Sequence, residues 1–110
     1  MKKRQWFLYI IRCNNGRLYT GITTDGKRRF EEHKKGDKRS AKYLRGKGPL
    51  EMVMIKKIGE RGLALKIEAK VKKLPKIKKE MLIEGKITVR EIMKNLNAKL
   101  NKKRPINYSA

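Results

Sequence analysis

The sequence predicts an α+β domain: a small three-stranded, largely antiparallel sheet flanked by helices, with an extra C-terminal helix. Three observations carry that expectation. Two runs of strand-forming residues flank the turn signal Asn14-Asn15-Gly16, a third run follows a capped helical segment, and an apolar stripe at helical spacing comes after it. One domain accounts for the length, since 110 residues suffice for a core but not for two independent ones.

Gln5–Cys13 (QWFLYIIRC) is rich in aromatic and β-branched residues, which favours a strand, and Arg17–Thr23 (RLYTGIT) returns beside it. Loop length decides which side chains meet. If Asn14, Asn15 and Gly16 form a three-residue loop, Cys13 pairs with Arg17, Tyr9 lies opposite Gly21, and Tyr19 lies opposite Ile11. Both tyrosines then project from one face. A two-residue Asn-Gly loop would put them on opposite faces, and the spelling allows either.

Thr24 or Asp25 can cap the helix that follows, and Gly36 can end it. Arg29 and His33, four apart, stand one above the other on one of its faces. Residues 37–49 (DKRSAKYLRGKGP) read as a basic loop broken by Gly46, Gly48 and Pro49. Leu50–Ile58 (LEMVMIKKI) is the third strand. Leu63–Leu74 is a helix with Leu63, Ile67, Val71 and Leu74 along one stripe, Glu68 on its flank, and Pro75 ending it. Ile77–Glu84 is a short helix closed by Gly85.

This divides the chain into a domain over 1–85 and a basic helical extension over 86–110. In the extension, Thr88 and Glu91 have capping-box spacing, and Ile92, Met93, Leu96 and Leu100 share a face. That helix docks on the domain, extends a nucleic-acid footprint, or engages a protein partner through 86–104; the sequence does not choose. With the core expected upstream, truncation after Gly85 is expected to leave a folded domain.

Charge narrows the partner. The net charge of +22, from 32 Lys and Arg against 10 Asp and Glu, would self-repel if idle, and nucleic acid is the polyanion that relieves it best. A membrane surface competes poorly. The apolar run Trp6–Ile11 is far too short to span a bilayer and carries no cleavage-site pattern. Cys13 is the single cysteine, so no disulfide framework and no cysteine-based zinc site arises, and a cytoplasmic protein is expected.

Five residues supply chemistry. Tyr9, Tyr19, Arg29, His33 and Glu68 together offer hydroxyls to position water, a cation for an anionic transition state, a proton relay and a carboxylate ligand. Each has an ordinary role when taken alone. The tyrosines suit a half-buried strand, Arg29 sits among other cations, and His33 is a lone helix-face histidine. Glu68 can simply pair with Lys72 at i,i+4 for about 0.2–0.5 kcal/mol. Their joint order and spacing favour a site. In the basic loop, Lys38, Arg39, Lys42, Arg45 and Lys47 surround Tyr43, an arrangement that suits gripping a phosphate backbone, and Lys35 and Lys72 complete the candidate contact set.

Phe7-Leu8-Tyr9, Tyr19-Thr20-Gly21 and Arg29-x-x-x-His33, in the order strand, turn, strand, helix, resemble the GIY-YIG nuclease superfamily over residues 5–84. The chain looks most like its short standalone bacterial branch, and Ala41–Pro49 followed by a hydrophobic strand adds to that likeness. Two positions depart from the motifs: Phe7 stands for a glycine and Thr20 for an isoleucine, neither a side chain the chemistry uses. The resemblance implies a divalent metal, Mg²⁺ or Mn²⁺, held by Glu68, with Tyr9, Tyr19, Arg29 and His33 as the other catalytic groups. Tyr9 is then the general base, provided the metal and nearby cations depress its pKa. It implies a metal-dependent DNA endonuclease of repair or recombination, on branched or nicked DNA. A non-catalytic DNA- or RNA-binding protein on the same scaffold is the alternative.

Overall fold

The computed structural model describes residues 4–36, 44 and 48–94. Within them run β1 (Trp6–Arg12), β2 (Leu18–Thr23), α1 (Gly26–Lys35), β3 (Glu51–Gly59), α2 (Arg61–Lys72) and α3 (Lys76–Ile83). A further helix, α4, begins at residue 89 and is described to residue 94. The strands form one antiparallel sheet in the order β2-β1-β3. The expected α+β architecture is the one observed. Among the described residues no helix is long and apolar enough to cross a membrane.

The hairpin takes the three-residue alternative. The Gly16 amide donates to the Cys13 carbonyl and the Cys13 amide to the Arg17 carbonyl, both at 2.9 Å, with Gly16 at φ 83°, where a side chain would be strained. Tyr9 therefore pairs with Gly21 and Ile11 with Tyr19. One residue more or less in this loop would have sent the two tyrosines to opposite faces.

The central strand is the most buried element, with Leu8, Tyr9, Ile10 and Ile11 at most 1% exposed, and its alternation splits the core in two. Leu8 and Ile10 pack with Ile67, Val71, Leu82, Val89 and Ile92 beneath the helices α2, α3 and α4. Tyr9, Ile11 and Cys13 pack with Leu44, Phe30 and Tyr19 on the other face. Across the seam, Arg12 on β1 grips Glu80 on α3 with two hydrogen bonds of 2.7 Å. The hydrogen bonds from Arg12 first, and then its charge and that of Lys76, hold the Glu80 carboxyl below the usual carboxylate range.

The start of the extension belongs to the core. The Thr88 hydroxyl accepts from the Glu91 amide at 3.1 Å, as its spacing predicts, and Val89 and Ile92 are 6% and 5% exposed against Leu8 and Ile10. The expectation that the core lies wholly upstream of Gly85 is therefore corrected: the apolar face of α4 closes the helical side of the sheet. Leu96, Leu100 and the rest of 95–110 lie outside the described residues.

Candidate active site

Three elements bring the chemistry together. Asp25, rather than Thr24, caps α1: its Oδ1 accepts from the Arg28 amide at 3.0 Å, and Gly36 closes the helix in the left-handed conformation at φ 65°. This aims the Arg29–His33 face at the tyrosine face of the sheet. The Tyr9 hydroxyl and Nε2 of His33 lie 2.9 Å apart in the interior. The Tyr19 ring meets His33 edge-on at 5.6 Å between centroids and lies 6.3 Å from Tyr9, so the three rings form one cluster.

Arg29 directs its guanidinium at the same Tyr9 hydroxyl and pairs through Nη1 with Glu32 Oε1 at 3.1 Å. An arginine only donates, so the hydroxyl oxygen accepts from Arg29; in the tautomer with Nε2 unprotonated, the Tyr9 hydroxyl donates to His33. That assignment puts the remaining imidazole proton on Nδ1. Burial pushes the His33 pKa down to about 4, with the Arg29 charge acting in the same direction, so the ring is a neutral acceptor near pH 7.

Tyr9 differs from expectation. Burial first, and then the neighbouring Tyr19, push its pKa up to about 12, although Arg29 acts against them. The pull of Arg29 is outweighed, so the pKa stays above its ordinary value. Tyr9 is a neutral phenol that bridges Arg29 and His33.

Glu68 sits on α2, its side chain 18% exposed, close enough for its charge to act on Tyr9. It also makes the ordinary pair expected from sequence, with Lys72 Nζ at 3.4 Å. Among the described residues no three His, Cys, Asp or Glu side chains group as metal ligands. A cavity of about 440 Å³ is lined by His33, Lys34, Lys35, Leu44 and Pro49 among others, so Lys35 borders a space that it shares with His33. Lys38, Arg39, Lys42, Tyr43, Arg45 and Lys47 lie outside the described residues.

Two contributors escaped the sequence reading. A Cβ at Gly21 would collide with the Tyr9 hydroxyl and lie 2.6 Å from its Cζ, so the tyrosine ring occupies the space of a missing side chain. A glycine inside a strand run is the signal of such an approach. Glu32, which steadies Arg29, is hidden among the acids and bases of α1, although its i,i+3 spacing from Arg29 was legible.

A family model described as the GIY-YIG catalytic domain matches residues 5–80. The chain belongs to the GIY-YIG family. Its GIY-YIG relatives include a UPF0213 protein of Cronobacter sakazakii, 50% identical over 91 residues that span 83% of this chain and 93% of that one. The UPF0213 protein YhbQ of Escherichia coli K12 is 46% identical over 91 residues, covering 83% and 89% of the two chains. A solution NMR structure of a UPF0213 protein from Bacillus halodurans is 39% identical, with a TM-score of 0.48 over 73% of this chain and 83% of that one. The Cronobacter relative is little longer than the GIY-YIG domain, and this chain spans nearly all of it. Membership places it in a nuclease family, whose substrate class is nucleic acid.

Proposed function

We propose that this protein is a divalent-metal-dependent endonuclease that hydrolyses phosphodiester bonds in DNA, in repair or recombination. The observation that carries the reading is the buried Tyr9–His33 hydrogen bond at 2.9 Å, with Arg29 at the same hydroxyl. A core tyrosine needs one partner; this one has a cation on its oxygen and a neutral base on its proton.

Glu68 fits a hard cation of this kind: one partly exposed carboxylate suits Mg²⁺ or Mn²⁺, which keep several waters and share the rest of their shell with phosphate oxygens. When bound, the metal supplies positive charge that polarises the scissile phosphate and eases departure of the leaving oxygen. The chain's own groups handle the water. Tyr9 and Tyr19 orient it for in-line attack. As its oxygen bonds to phosphorus, its proton passes to the Tyr9 oxygen while the Tyr9 proton passes to His33 Nε2. The bond from phosphorus to the leaving oxygen breaks, and that oxygen takes a proton from solvent. Arg29 neutralises the charge that builds on the phosphate. Tyr9 thus never needs to become a stable phenolate, which its raised pKa disfavours.

The test is nicking of supercoiled or branched DNA by the purified protein with Mg²⁺, and its arrest by EDTA. Arg29→Ala and Glu68→Ala should abolish cleavage with little loss of DNA affinity, since one charge in so many matters little to a polyelectrolyte contact. An unmutated protein that binds but never cuts would favour the scaffold alternative.

A further inference from the structure

Three cations surround a groove that the proposed active site does not use. Lys56 on β3, with Arg90 and Lys94 on α4, lines a cavity of about 390 Å³ whose wall, among the described residues, includes Ile58 and Met93 and no acidic side chain. All three are exposed, and among the described residues none of them is ion-paired. Arg90 and Lys94 stand four apart on α4 and so share a face. Three like charges around one groove raise its energy while it is empty. An anion with several phosphates lowers it. The apolar wall takes the methylene stems and leaves the charged heads free to donate.

The groove and the ring cluster lie on opposite faces of the sheet. Lys56 is the cross-strand partner of Leu8, and Tyr9 is the partner of Ile55. Cross-strand partners share a face and successive residues alternate, so Lys56 follows Leu8 to the helical face while Tyr9 points to the other. A straight duplex laid against one face cannot also fill a groove on the other.

We propose that the groove between β3 and α4 is a second backbone-binding site for duplex DNA, so that the protein holds two arms of a branched DNA at once. One arm lies at the tyrosine face, as the nuclease reading requires, and the second lies along Lys56, Arg90 and Lys94. Simultaneous engagement raises affinity for a junction over a linear duplex without any new contact, because the second arm binds at high effective concentration.

The experiment compares a three-way junction with a linear duplex of equal total length, without divalent metal, in a Glu68→Ala background. Adding Lys56→Gln and Arg90→Gln, both at exposed positions, should lower junction affinity about tenfold or more and change linear affinity by less than about threefold. The junction's loss of affinity between about 50 and about 200 mM salt should shrink by about tenfold, as two lost phosphate contacts predict. Three results would each overturn the proposal: equal losses on both DNAs, no loss on either, or an unaffected junction beside a collapse in binding to a structured RNA. Because the assay reads binding alone, it is separable from the nuclease reading. A protein that never cuts yet loses its junction preference in this variant sinks the first reading and leaves the groove standing.

Discussion

Tyr9 and His33, 24 positions apart in sequence, share a hydrogen bond of 2.9 Å in the interior. If that pair relays a proton, the two residues act as one unit. Tyr9→Phe and His33→Ala should each lower the single-turnover cleavage rate by about 100- to 10,000-fold, the usual worth of a positioned proton acceptor. The double variant should be no slower than the worse single one. Multiplicative losses would mean that the residues act independently.

Glu32 touches no reacting atom; it is a positioning residue for Arg29. Glu32→Gln should reduce cleavage by about 10- to 100-fold, the scale of losses from misplacement. DNA affinity should hold or rise slightly, because a negative charge is removed. A parallel fall in affinity would show that Glu32 supports the fold instead.

Burial of neutral His33 links stability to pH. Its folded pKa, about 4, lies below the ordinary 6.5, so between those values the unfolded chain binds a proton that the folded chain does not. Stability from this group is full above about pH 6.5, falls as the pH drops towards 4, and is level below that. The total is on the order of 3 kcal/mol. Melting curves of the unmutated protein and His33→Gln should converge towards acid pH as this contribution disappears. An unchanged difference from pH 7 to pH 4 would count against a neutral buried imidazole.

Thr20 is 3% exposed, and among the described residues its Oγ1 is the buried side-chain polar atom without a hydrogen-bond partner. Thr20→Val keeps the shape and deletes the stranded hydroxyl, so it should stabilise by about 1 kcal/mol. Denaturant midpoints measure it, and destabilisation would mean that the hydroxyl is satisfied in solution.

Truncation after Gly85 removes Val89 and Ile92 from the helical core. At about 1.5–3 kcal/mol for each buried side chain, the loss is about 3–6 kcal/mol, a large share of the stability of a domain this size. The melting temperature should collapse; one that held would show that α4 is dispensable.

Local rules made much of the architecture legible. Strand composition and the turn signal narrowed the hairpin to two loop lengths, of which the structure takes the one that puts Tyr9 and Tyr19 on one face, while i,i+4 spacing alone placed Arg29 and His33 together. Properties set by the assembled interior were not legible. Tyr9 looked like a base that cations would acidify, but burial wins over Arg29. The Arg12–Glu80 grip joins residues 68 apart, and neither residue stands out in its own segment. The docking of α4 was one of three open choices, because an apolar helical face does not say what it faces.

The close approach of Tyr9 to Gly21 makes the absence of a side chain into a gauge. The height of the phenol above the sheet is set by a bare backbone, not by a packing partner that could be exchanged for another of similar size. Adding one methyl at position 21 would lift the ring off the strand and part it from the imidazole, while leaving the sheet, the helices and the basic surface intact. Among proteins that keep both tyrosines, the residue at this position should therefore separate those able to cut from those that can only hold. It does so although it has no chemistry of its own.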